Sequence, residues 1–137
     1  MIDYLEYVGK WASSPDLTEE RKQNAILLLE ACRKLEMEML LDGVLFPDNP
    51  ATGSGVSGQQ YGGFRPQSCP EGAPHSAHKE GQAVDRYDPT NAIDAWLLAH
   101  PDALVRHGIY IEHPDATKNW SHWSIRAPGS GKHIFLP

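Results

Sequence analysis

Two histidines and an aspartate stand out for what their side chains can hold. His78 and Asp85 lie seven residues apart in "SAHKEGQAVD", and His122 is central in "WSHWSI". Imidazole nitrogen and carboxylate oxygen are zinc ligands, and a catalytic zinc takes three protein ligands and keeps one position open. These three residues form such a set if the chain brings them together. A second reading is as simple. A histidine ahead of a glycine is an ordinary loop residue, and one between two tryptophans is a packed, hydrogen-bonded one. His75, His107, His113 and His133 compete for the same role, and nothing local excludes them.

The elements around these residues decide whether they meet. "QAVDRY" reads as a short strand, on which Asp85 shares a face with Ala83. A small residue there leaves clearance beside a metal. "IYIE" and "WSHWSI" read as two more strands joined by the loop "HPDATKN". His122 shares its face with Trp120 and Ser124, so one of Trp120 and Trp123 faces the site side and the other packs behind; for Trp120, core packing is the simpler reading and a cleft wall the alternative. If the strands of Asp85 and His122 are neighbours, the two side chains converge, and His78 folds back from the loop before the first.

The first third is helical. A short helix covers about residues 2–11. In "TEERKQNAILLLEACRKLEMEMLL", Ala25, Leu28, Leu29, Cys32 and Leu35 recur at steps of three and four. Thr18 is the expected N-cap and Gly43 the stop. Residues 46–74 are dense in Gly, Pro, Ser and Asn. So long an irregular stretch in a small domain reads as the wall of a site, with a short strand near residues 59–64. "DPTNAIDAWLLAHPDALVRHG" is helical, with Ala92, Ile93, Trp96 and Leu97 on one face and Trp96 in the core. Pro101 divides it and Gly108 ends it. Asp88 reads as a cap. The order of elements predicts one α+β domain over 1–137, with a helical part (1–45) and a metal-site part (46–137). Its expected form is a small, mostly antiparallel sheet with helices on one side and a zinc cleft on the other.

Composition narrows the function. A net charge of −6 and the lack of any Lys/Arg stripe argue against a nucleic-acid partner. No apolar run approaches the length of a membrane span. The N-terminus has no apolar core of signal-peptide type, which predicts a cytoplasmic site of synthesis. Two cysteines, Cys32 and Cys69, give no zinc-finger spacing and no disulfide framework.

The pattern Ser-x-His-x-x-Gly-x-Ala-x-Asp, met by Ser76, His78, Gly81, Ala83 and Asp85, resembles the first zinc motif of the D-Ala-D-Ala carboxypeptidase family, which shares its fold with the hedgehog signalling domain. Trp120 and His122 resemble the second motif, and "GGFRP" resembles the Gly-aromatic-Arg segment ahead of the first. The resemblance covers about residues 62–137 and extends to small phage-encoded members. It implies that His78, Asp85 and His122 bind one Zn²⁺ and that Arg65 contacts substrate or steadies an oxyanion. It also implies a peptidoglycan peptide as substrate, and either host cytoplasm before release or a virion as location.

One position departs from that family. Many relatives carry a glutamate general base three residues before the last histidine, where this chain has Asn119. Glu112, at the end of "IYIE", is the replacement the sequence offers, as a general base or as a partner that orients a ligand. Without a base, the chain would be a zinc-binding structural or interaction module that performs no hydrolysis.

Overall fold

The computed structural model describes residues 1–58 and 61–137. Helix α1 (Tyr4–Val8) opens on Asp3, whose carboxylate accepts the Glu6 amide while Glu6 reaches back to the Asp3 amide. This reciprocal cap satisfies two donors that a helix start otherwise leaves bare. A 3₁₀ turn (Gly9–Trp11) follows. Helix α2 (Glu19–Leu41) starts where Thr18 accepts the Arg21 amide and ends before Gly43, at φ +88°. It buries Ala25, Leu28, Cys32, Leu35 and Met39, whereas Leu29 is only half-buried.

Strand β1 (Ala83–Tyr87) leads to α3 (Ala92–Ala99) and α4 (Pro101–His107). The break falls at His100, because the proline that follows cannot donate to the preceding turn. Gly108, at φ +65°, closes α4 in the left-handed conformation. Asp88 does act as a cap: its carboxylate accepts the Ile93 and Asp94 amides at 3.1 Å each. Trp96 departs from expectation. It is half-buried, stacked on His100 at 3.9 Å, and its indole N–H donates to Asp42.

Strands β2 (Tyr110–Glu112), β3 (Trp120–Ser124) and β4 (Ile134–Phe135) complete a sheet of order β1-β3-β2-β4. The first two pairings are antiparallel and β2-β4 is parallel, so the fold is α+β with a small mixed sheet. The apolar tail supplies the parallel strand. Val84, Ile111 and Trp123 share one hydrophobic cluster with Leu28 and Leu35 of α2, Ile93 and Leu97 of α3, and Leu104 of α4. No helix among the described residues is long and apolar enough to cross a membrane. Cys32 and Cys69 are both free and buried, and burial pushes the Cys32 thiol up to about 12.

The irregular stretch divides in two. Its first part covers the outer edge of β1: Ser57 donates to the Asp85 carbonyl, Tyr87 to that of Gly55, and Asp85 to that of Gly62. Of the strand expected near 59–64, Gln59 and Gln60 lie outside the described residues, and 61–64 form a turn and irregular backbone. Its second part, with Arg65 and Gly72, walls a cleft.

Candidate metal centre

The register of the sheet builds the site. Asp85 on β1 is the direct partner of His122 on β3. Tyr110 and Ile111 pair with Ser124 and Trp123, so one further step along β2 sets Glu112 beside His122. Glu112 in turn pairs with Phe135 on β4. A single transverse row, Asp85–His122–Glu112–Phe135, thus crosses all four strands on one face. Directly opposed residues share a face and stand close enough to interact.

His78 folds back over the row from the preceding loop. Its Nε2 is 3.4 Å from Asp85 Oδ1, and Nδ1 of His122 is 2.8 Å from the same oxygen. The two imidazoles meet edge to face, with centroids 5.2 Å apart. One ligand atom from each of His78, Asp85 and His122 lies within 4.8 Å of the others. At zinc bond lengths, neighbouring tetrahedral ligands stand about 3.3 Å apart. The donor set and its spacing therefore suit a metal ion.

The electrostatics of the trio favour charge. Burial pushes the Asp85 carboxyl up, but the charge of His78 and the hydrogen bond from His122 outweigh it and hold its pKa well below the ordinary range. Burial opposes a charged His122, yet the hydrogen bond to Asp85 and the charges of Asp85 and Glu112 keep its pKa above the usual histidine value. An ionised carboxylate between two imidazoles is the protonation state that metal binding requires of the acid.

The cleft above the row has a volume of about 370 Å³. It is lined by Arg65, Gly72, Ser76 and Ala77 ahead of β1, by Glu112 of β2, by Trp120 and Ser124 of β3, and by Arg126, Ala127, Pro128 and Phe135 beyond it. Arg65 Nε donates to the Tyr61 carbonyl at 2.7 Å, and its Nη2 lies 3.5 Å from Asp85 Oδ2. The Glu112 carboxylate opens on the cleft and forms no hydrogen bond or ion pair with another described residue.

All five residues singled out from the sequence, His78, Asp85, His122, Glu112 and Arg65, therefore line one cleft. The competing histidines do not join them. His75 is exposed, His107 pairs with Glu38, His113 with Asp115, and His133 bonds the Ile109 carbonyl. Two expectations need correction. Ala83 is fully buried and does not line the cleft. Trp120, for which core packing was the simpler reading, walls the cleft. Tyr61 reaches the site through its carbonyl, as the anchor of Arg65.

Asn119 lies outside the cleft, in the turn before β3, with φ +74°. Its amide donates to Asn91 Oδ1 and its carbonyl accepts the Asp88 amide. Asparagine enters the left-handed region more readily than glutamate, so the backbone accounts for the residue type there.

Sequence reasoning missed Arg126 and Phe135, and it took Gly62 and Gly63 only as letters of the "GGFRP" motif. The first two sit in a tail without periodicity. The glycines carried a signal in their adjacency, which marks close backbone approach. No family model, no curated protein and no solved structure matches the chain.

Proposed function

We propose that the chain is a zinc-dependent hydrolase of a peptide bond in bacterial cell-wall peptidoglycan, a carboxypeptidase or endopeptidase of the D-Ala-D-Ala carboxypeptidase and hedgehog-type fold. The observation that carries this reading is the unpaired Glu112 carboxylate beside His122, in the row that also bears Asp85. His78, Asp85 and His122 would hold the metal. When bound, Zn²⁺ supplies Lewis acidity, polarising a carbonyl and making water a better nucleophile. Glu112 takes the proton of the attacking water and returns it to the leaving amine. Arg65, anchored on the Tyr61 carbonyl, offers a guanidinium to negative charge developing on the carbonyl oxygen. Trp120 and Phe135 give the peptide an apolar wall. The substrate class rests on the motif resemblance.

The test is turnover. Purified peptidoglycan is incubated with the protein and zinc, and released muropeptides are identified by mass. Zinc-dependent release by wild type, lost in His122→Ala, is the expected result. Equal products from both would sink the reading. A second reading, a zinc-binding phage structural or interaction module without catalysis, is favoured by Asn119 at the family's usual base position. It predicts zinc binding that His122→Ala abolishes, with no muropeptide release from either protein.

A further inference from the structure

The metal site has a support that reaches into the N-terminal helix. Two successive carbonyls, those of Gly62 and Gly63, each hold one of the metal-ligand residues. Gly62 O accepts the Asp85 amide at 2.6 Å, and Gly63 O lies 2.9 Å from His78 Nδ1. A carbonyl oxygen only accepts, so this contact places the imidazole proton on Nδ1. In the neutral ring that a metal requires, Nε2 is then the free ligand atom, on the side of Asp85.

These carbonyls are fixed by contact with α1. The Phe64 amide donates to the Tyr7 carbonyl at 3.0 Å. The backbones approach so closely that a Cβ on Gly63 would fall 2.1 Å from Tyr7 O. The Tyr7 hydroxyl donates to the Ala83 carbonyl at 2.9 Å, two residues before Asp85 on β1. Tyr7 is itself buried, at 2% exposure. One residue of α1 therefore holds the Gly62–Phe64 segment, whose carbonyls meet both ligand residues, by its own carbonyl, and the strand of Asp85 by its hydroxyl.

We infer that Tyr7 and Gly63 are positioning residues of the metal centre, setting the tautomer and aim of His78 and the distance between His78 and Asp85. The inference rests on the metal reading above and gives the N-terminal helix a part in the site. Outer partners of this kind change metal affinity without touching the metal.

Zinc affinity would be measured by competition with a chromophoric chelator for wild type, Gly63→Ala, Tyr7→Phe and Gly129→Ala. The last is a control, since a Cβ at Gly129 meets nothing. Ring ¹⁵N shifts of His78 in the metal-free proteins at alkaline pH, where imidazole is neutral, report the tautomer, and far-UV circular dichroism confirms folding. The expected result is a drop in affinity of ~10- to 100-fold for Gly63→Ala, with loss of the pure Nδ1–H form. Tyr7→Phe should weaken binding about 10-fold with its fold retained, and Gly129→Ala should match wild type.

Wild-type affinity and an unchanged tautomer in both variants would overturn the inference. If Gly63→Ala does not fold, Tyr7→Phe decides alone, and wild-type affinity there overturns it. If wild type binds no zinc, the metal reading fails on its own, and the His78 tautomer in Gly63→Ala then decides the positioning claim.

Discussion

Consecutive residues of β1 carry two arrangements of the same charges. Arg86 faces the helices and meets Glu36 of α2 at 2.5 Å, with both residues buried. Its guanidinium lies between the rings of Phe46 and Trp123, at 4.7 and 5.1 Å. Asp85 faces the cleft, where Arg65 approaches only to 3.5 Å and two imidazoles share one carboxylate oxygen. The rear pair packs among aromatic rings, and Arg86 edges a smaller cavity of about 160 Å³. The front group keeps donor atoms directed into an open cavity. Polar residues behind β3 follow the rear pattern: Ser121 donates to Asp94 and accepts the Trp123 indole N–H, and Thr117 donates to Asp94. Burial alone does not distinguish the two groups here; the convergence of three possible metal-ligand side chains on the larger cleft does.

That contrast can be broken in three ways beyond those already given. The largest effect belongs to Glu112→Gln, which keeps the shape of the front row and removes its proton acceptor. Peptidoglycan turnover should fall ~10²- to 10⁴-fold with zinc affinity retained. Full activity in a zinc-loaded variant would remove Glu112 from the mechanism.

Next is Glu36→Ala, which strands Arg86 among aromatic rings. Unpairing a buried charge costs about 3–5 kcal/mol, read as a lower urea midpoint. Zinc affinity of the folded protein should stay near wild type. A large loss of affinity at full stability would show that the two faces are coupled.

The smallest effect is a pH slope. Burial raises the Asp94 carboxyl to about 6, against the lowering effect of the Ser121 and Thr117 hydroxyls. A raised carboxyl pKa favours the folded state while the group is protonated. Its contribution is full below about pH 4 and is lost as pH rises through 6, up to about 3 kcal/mol. Asp94→Asn should lack this slope. Urea unfolding at pH 5 and 7.5 would then show wild type losing stability relative to the variant, and parallel behaviour would refute the assignment.

Much of the site was legible because period and spacing are local. Alternation on "QAVDRY" and "WSHWSI" put Asp85 and His122 on definable faces, and Thr18, Pro101 and Gly108 mark helix boundaries by their own chemistry. Gly81, a bare motif letter in the sequence, has a tertiary cause. At φ +73° its missing Cβ makes room for the Arg21 carbonyl of α2, 2.5 Å from where that carbon would lie. Asn24 of the same helix donates to the Glu80 carbonyl. The helical third, read as a cover for one side, also braces the loop that presents His78.

Residue types and short-range periodicity therefore determined the ligand candidates, the strand faces and the helix ends, because each depends on a few neighbouring residues. Tertiary structure alone decided the strand order β1-β3-β2-β4 and the register that sets Asp85, His122 and Glu112 in one row. It also decided the turn that removes Asn119 from the cleft and the contacts of Tyr7 with Phe64 and with the strand of Asp85. These depend on contacts between residues up to 76 positions apart, whose pairing no local pattern encodes.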